Sequence, residues 1–205
     1  MSENQSSHFN QKAKTWDTPE KIEKAASYAQ KIKEVLQKDH FSKVLEIGCG
    51  TGLLGSQFWK TNTQYVGLDT SSEMLSVLHS KCDDKELVRS YLLNMDIEEV
   101  PEKDFDLVVS SMAFHHLKDP KNTVQRLAPQ LSAHAAIAVI DLRTEDGSFH
   151  PDPQGMGVHH SGFSEEEIRS WASLLNAEVL HLDTVHTVQK NGKEYPLFLA
   201  VFRKN

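Results

Sequence analysis

Several absences bound this chain of 205 residues. Two cysteines, Cys49 and Cys82, make neither a CxxC pair nor a disulfide framework, so a reducing compartment is expected. No run of about 18 apolar residues is present to span a bilayer. The first residues, MSENQSSHFNQKAKTWD, are polar and lack the apolar stretch of a secretory signal. Together these predict a cytoplasmic protein without a membrane anchor. Basic residues are in deficit: 22 Lys and Arg stand against 29 Asp and Glu, a net charge of −7. Broad attraction to nucleic acid or anionic lipid is therefore not expected. There is no internal repeat and no low-complexity tract. What remains is an ordinary globular composition, 39% hydrophobic and 25% charged, long enough for one domain with a substantial core.

Apolar periodicity places the elements. Thr18-Pro19 reads as a helix start, and helical spacing follows through Ile22, Ala25, Ala29, Ile32 and Leu36. Strands are expected over Lys43–Ile47, Tyr65–Asp69, Leu87–Leu93, Phe105–Ser111 and Ala135–Leu142. Helices are expected from Gly52 to about Lys60, from a capping box at Thr70-Ser-Ser-Glu73 to about Lys81, from Asp119-Pro120 to near Leu131, and from a capping box at Ser164–Glu167 to about Leu175. Asn191-Gly192 between two apolar runs signals a closing hairpin. The loop over 143–163 is long enough to imply function or disorder. Strands alternating with helices imply a parallel sheet covered on both faces, with ligands beyond the carboxyl ends of its strands.

The first of those strand ends reads VLEIGCGTGLLG, residues 44–55, with four glycines in eight positions. Gly50 to Gly55 fits GxGxxG, which alone also admits a dinucleotide fold or a ligand-free tight turn. Three features favour another ligand. Glu46 before the loop does not suit a pyrophosphate but suits ammonium or hydroxyl groups. Asp69 ends the second strand and could accept from ribose hydroxyls, or merely cap the next helix. The terminal hairpin is not required by a plain parallel nucleotide fold.

At these residues the chain resembles the class I S-adenosylmethionine-dependent methyltransferases, of the small-molecule type with a type 11-like domain. The motifs are Glu46-Ile-Gly-Cys-Gly-Thr-Gly52, Val66-Gly-Leu-Asp69-Thr-Ser-Ser-Glu-Met-Leu75, Asn94-Met-Asp96-Ile97, and Phe105–Leu117 with its Phe114-His-His116; they cover about 40–142. The resemblance implies a Rossmann-like, doubly wound α/β fold: a seven-stranded, mostly parallel sheet with an antiparallel C-terminal hairpin strand. It implies S-adenosyl-L-methionine as cofactor. Gly48, Cys49, Gly50 and Gly52 would line the methionine end, with Glu46 close by, through water or by shaping the loop. Asp69, with Thr70 beside it, would hold the ribose; Met74 or Leu75 would touch adenine, and Asp96 and the Ile97 amide would meet its edge. Ser110 and Ser111 would flank the transfer site. Residues 1–17, with Phe9 and Trp16, resemble a segment that closes over the cofactor, leaving 18–205 as one methyltransferase domain. Asp96 could equally be a solvated turn acid, Cys49 a space-filler, and Trp16 a pin for the tail.

A sulfonium-bound methyl is already electrophilic, so alignment does much of the work and a general base is optional. His115, at the acceptor side, and His159 or His160 in the long loop are the catalytic candidates; the alternative for His115 is a packed histidine. No metal ligands are assigned: His150, Asp152, His159 and His160 suit zinc or iron chemically, but their spacing fits no zinc pattern. The place where nucleic-acid amino-methylases carry an Asn/Asp-Pro-Pro-aromatic run reads Ser110-Ser-Met-Ala-Phe here. A small-molecule acceptor, partly apolar, is therefore expected, on a monomer or homodimer. The rival readings are a non-catalytic S-adenosylmethionine-binding protein and an NAD-binding oxidoreductase.

Overall fold

In a computed structural model, residues 3–82 and 86–205 are described. Seven strands form one sheet in the order β3-β2-β1-β4-β5-β7-β6. The strands are β1 (Lys43–Ile47), β2 (Gln64–Asp69), β3 (Val88–Leu92), β4 (Phe105–Ser111), β5 (Leu131–Leu142), β6 (Ala177–Lys190) and β7 (Lys193–Lys204). The first five run parallel; β7 is inserted antiparallel between β5 and β6. The fold expected from the sequence is thus observed. Among the described residues the α-helices are α1 (Glu3–Lys12), α2 (Pro19–Leu36), α3 (Ser72–Ser80), α4 (Pro120–Leu127) and α5 (Glu165–Leu174). None of the described helices is long and apolar enough to cross a membrane.

Strand periodicity divides the core between the two faces of the sheet. Leu45, Ile47, Val66 and Leu68 pack with Phe114, Phe163 and Trp171 on one face. Val44, Tyr65, Leu107 and Val109 pack with Ile32 and Leu36 of α2 and Leu75 and Leu78 of α3 on the other. Local signals hold at several element ends. The Thr18 hydroxyl accepts from the Lys21 N–H, and Pro19 occupies the first helical position. Ser164 and Glu167 form the capping box of α5. Asn191 (φ 53°) and Gly192 (φ 73°) both take the left-handed conformation that a type I′ hairpin turn demands.

The differences are local and have physical causes. The helix expected from Gly52 is a single 3-10 turn, Gly55–Phe58. Glycine is a poor helix former, and Gly55 is wedged so tightly that a Cβ there would lie 2.2 Å from the Tyr65 ring and 2.3 Å from Glu46 Oε2. The cap of α3 is Ser71, which accepts from the Met74 N–H at 3.2 Å. The Glu73 N–H, which a Thr70 cap would bind, instead donates to Asn10 Oδ1 at 3.3 Å. Strand β5 begins earlier than expected, at Leu131, directly after a 3-10 turn at Ala128–Gln130. Polar residues Glu3–Lys12, not anticipated as regular structure, form α1.

Candidate functional site

The carboxyl ends of β1, β2, β4 and β5 open on one edge of the sheet, at the point between β1 and β4 where strand order reverses. A cavity of about 570 Å³ lies there, a volume in the range of small-molecule sites. The glycine loop forms its floor. Gly48, Gly50 and Gly52 have φ of 65°, 52° and 79°, the left-handed region that other residues enter at a cost. Gly48 also permits close packing, since a Cβ there would sit 2.3 Å from the Ala113 Cβ. At Gly50 a Cβ would meet only Met74 Sδ at 3.9 Å, so the backbone is bare towards the cavity.

Asp69 fixes this loop. One carboxylate oxygen accepts from the Gly50 N–H at 2.7 Å, the other from Thr70 and Ser71 at 2.7 and 2.8 Å. Three bonds leave room for about one more acceptor interaction on the pair of oxygens. Burial raises its pKa, against the backbone donors. Asp69 thus holds the turn that leads into α3 and also lines the cavity.

Glu46 is 3% exposed. Its Oε2 accepts from the Tyr65 hydroxyl at 2.5 Å and the Gly55 N–H at 3.1 Å. Burial pushes its pKa up to about 8, the two hydrogen bonds opposing. Glu46 therefore braces the loop as a largely protonated acid at neutral pH. Because the folded form holds its proton above the unfolded carboxyl pKa of about 4.3, the native state binds more protons between those values. Stability should then fall as pH rises from about 4.5 towards 8. Glu46→Gln is expected to flatten that part of the urea-unfolding profile; an unchanged pH slope would contradict it.

Cys49 is buried, its thiol pKa raised by burial, and its sulfur packs where a Gly67 Cβ would lie, so its side chain fills space. Leu93, Asn94, Met95 and Asp96 line the far side of the cavity. Asp96 accepts from the Lys118 N–H at 2.8 Å. Ile97 stands apart from that wall: it is 74% exposed and its N–H is spent on the Asn94 carbonyl at 3.1 Å. Ser111 faces the cavity, whereas Ser110 is buried and donates to the Ile47 carbonyl at 2.9 Å, tying β4 to β1.

The N-terminal segment forms one side of the cavity through His8, Phe9, Lys12 and Trp16. Asn10 Oδ1 accepts from the Ser71 hydroxyl at 2.7 Å. Asp17 accepts from Thr51 at 2.5 Å and from Lys81 at 2.7 Å. The Phe9 ring meets Trp16 and His116 edge-on, at 5.9 and 5.4 Å between centroids. One short segment thereby joins the glycine loop, α3 and the histidines.

Those histidines gather past β4. Met112, at φ 56°, turns the chain out of the strand, and its N–H donates to the Ile140 carbonyl. His115 is 1% exposed, and its Nδ1 lies 2.7 Å from Asp141 Oδ1. Its Nε2 is buried without a hydrogen-bond partner. Burial alone would raise the Asp141 carboxyl; the imidazole beside it, by charge and hydrogen bond, overrides that and holds it below the ordinary value. Asp141 escaped the sequence reading, although its signal is there: one acid inside the apolar run Ala135–Leu142. His116 packs on His115 at 4.2 Å between centroids, and burial, then the His115 charge, drops its pKa to about 3.

His159 and His160 approach by their backbones: both N–H groups donate to the His115 carbonyl, at 2.9 and 3.1 Å, and neither ring lines the cavity. His150 takes that place instead, its ring 4.9 Å from His115. The loop that carries it is closed at its base by a bridge between Arg143 and Phe163. Gly162 makes that closure possible, since a Cβ there would lie 2.2 Å from the Arg143 carbonyl oxygen. Asp152 turns away to accept from the Gly155 N–H at 2.9 Å.

A bare glycine cradle, an acid at the end of β2 and a cavity at the switch point come together at one edge of the sheet. A methyltransferase-domain family model matches residues 44–134. An uncharacterized methyltransferase of Schizosaccharomyces pombe is 36% identical over 155 residues, 67% of this chain and 55% of that protein. Malonyl-[acyl-carrier protein] O-methyltransferase of Priestia megaterium is 32% identical over 135 residues, 63% of this chain and 47% of that one. The chain spans about half the length of the curated relatives it matches. Among solved structures, the complex between the Haloferax volcanii Trm112 methyltransferase activator and a methyltransferase superposes with a TM-score of 0.75 at 17% identity, covering 96% of this chain and 97% of that one. Residues 44–134 thus match a methyltransferase domain, and the chain has the Rossmann-like fold of the class I methyltransferases.

Proposed function

We propose that this protein transfers the methyl group of S-adenosyl-L-methionine to a small-molecule acceptor. The observation that carries the reading is the glycine cradle bare towards the cavity at Gly50 and clamped by Asp69. The residues fit the cofactor: the loop would take its methionine end, Asp69 has an acceptor site left for a ribose hydroxyl, Met74 packs against the cradle, and Asp96 lies on the wall where the adenine edge would come. The cofactor supplies a methyl group activated by a sulfonium. The chain's part is to orient, to exclude water and to receive the acceptor's proton where there is one.

The acceptor end lies at His115, with Ser111 and Met112 at the mouth of β4. Asp141 accepts from Nδ1–H and so fixes the tautomer in which Nε2 has a free lone pair. That nitrogen would accept a hydrogen bond from an acceptor hydroxyl or amine and take its proton during transfer. Met112, Phe149 and Leu197 also line the cavity and suit an acceptor with an apolar part. The −7 charge and the absence of a basic stripe favour a small molecule over nucleic acid. Non-catalytic binding of the same cofactor predicts the same ligand but no turnover. An acceptor screen that follows formation of the demethylated product separates the two: product that accumulates only with an added small molecule supports the enzyme, and none across chemically diverse acceptors supports the binding protein.

A further inference from the structure

We propose that His115, His116 and His150 form a divalent-metal site at the acceptor end of the cavity. One nitrogen from each ring lies within 4.8 Å of the other two, a cluster found by folding rather than by sequence spacing. All three residues line the cavity. The Nε2 of His115 is buried and unpartnered, which is costly unless something occupies the space it faces.

Second contacts arrange the rings as ligands. His115 turns its Nδ1 to Asp141 Oδ1 at 2.7 Å, and His116 turns its Nδ1 to the Gly157 carbonyl at 3.1 Å. Each thereby presents Nε2 as its remaining lone pair. A carboxylate or carbonyl behind the imidazole is the usual support of a metal-bound histidine. Asp141, 0% exposed, also supplies a buried negative charge to offset that of a cation. His150 is packed between Phe149 and the other two imidazoles, at 4.7, 4.9 and 5.9 Å between centroids.

Three imidazoles with an open side are the ligand pattern of a metal centre that keeps a position for water or substrate. Nitrogens ~2.0–2.1 Å from a tetrahedral ion lie roughly 3.4 Å apart. The separations here reach up to 4.8 Å, so ion binding would draw the rings together. The ion would occupy the nitrogen that otherwise faces the acceptor's proton. It would bind an acceptor through an oxygen donor, such as a hydroxyl or carboxylate, and a bound hydroxyl would lose its proton to water. Lys190, whose Nζ donates to the Phe149 carbonyl at 2.6 Å, stands close enough to favour an anionic group there.

This site goes beyond the methyl-transfer reading and is tested without acceptor or cofactor. Full-length protein free of any polyhistidine tag is stripped with a chelator and titrated with Co²⁺, read by visible d–d absorption, and with Zn²⁺ in competition with a chromophoric chelator. The expected result is one ion per chain. Asp141→Asn should lower affinity ~10–100-fold, as loss of outer support does, and His150→Ala by at least as much. His134→Ala, an exposed histidine far from the cluster, should leave it unchanged. His150→Gln serves as the second variant should the alanine protein unfold. Failure to bind one equivalent of either ion, or equal affinity in wild type and both His150 variants, overturns the proposal. Metal binding without cofactor binding would contradict the methyl-transfer reading and leave the metal site standing.

Discussion

Asp69→Ala should bind S-adenosylmethionine at least ~100-fold more weakly, a loss of roughly 2.7 kcal/mol, and should also melt earlier. Both effects come from one carboxylate. It holds the Gly50 N–H on one oxygen and the Thr70 and Ser71 N–H groups on the other. Hydrogen bonds to a charged acceptor contribute ~1.5–3 kcal/mol each, set against the cost of burying the charge. Removal leaves three amide donors at the junction of the glycine loop and α3, so the cradle loses its shape along with its ribose acceptor. Asp69→Asn should fall between wild type and alanine, because its amide keeps one acceptor oxygen but points an N–H₂ at donors. Calorimetric titration and thermal unfolding read both quantities. Unchanged affinity in the alanine variant would show that the loop needs no clamp and that the ribose is held elsewhere.

The second large effect belongs to the buried pair His115–Asp141. With an acceptor in hand, His115→Ala should lower kcat ~10²–10⁴-fold, the usual contribution of a positioned proton acceptor, and cofactor affinity should change little. Asp141→Asn is a positioning change. Because Oδ1 also accepts from the Leu142 N–H at 2.7 Å, the amide oxygen should stay at that position, and loss of the charge behind Nδ1 should lower kcat while KM stays near its wild-type value. The tautomer has its own readout in the ¹⁵N shifts of the His115 ring, which need no acceptor: Nδ1–H is expected in the wild type. A wild-type ring already protonated at Nε2 would contradict this role for Asp141.

Much of the fold was legible because its signals are local. Alternation of apolar runs with helical spacing marked β1 to β5, and Asn191-Gly192 marked the hairpin that puts β7 antiparallel between β5 and β6. The glycine loop and Asp69 announced themselves, since few uses other than a close backbone approach call for glycine at 48, 50 and 52. What stayed hidden depends on contacts between distant segments. Glu3–Lys12 is too polar to read as a core helix, and it is anchored by single side chains such as Asn10 on Ser71 and Phe9 on His116. Asp141 escaped the sequence reading because its partner lies 26 positions earlier in the chain. Within the long loop, no local pattern distinguishes His150, whose ring joins the cavity, from His159 and His160, whose backbones brace His115.

The central claim, that the bare loop at Gly50 receives an adenosyl sulfonium, is tested most directly by thermal shift and calorimetry with three ligands on the full-length protein. S-adenosylmethionine and its demethylated product should each raise the melting temperature and bind at one site per chain, and NAD should do neither. Stabilisation by NAD alone, or by none of the three at saturating concentration, would contradict it.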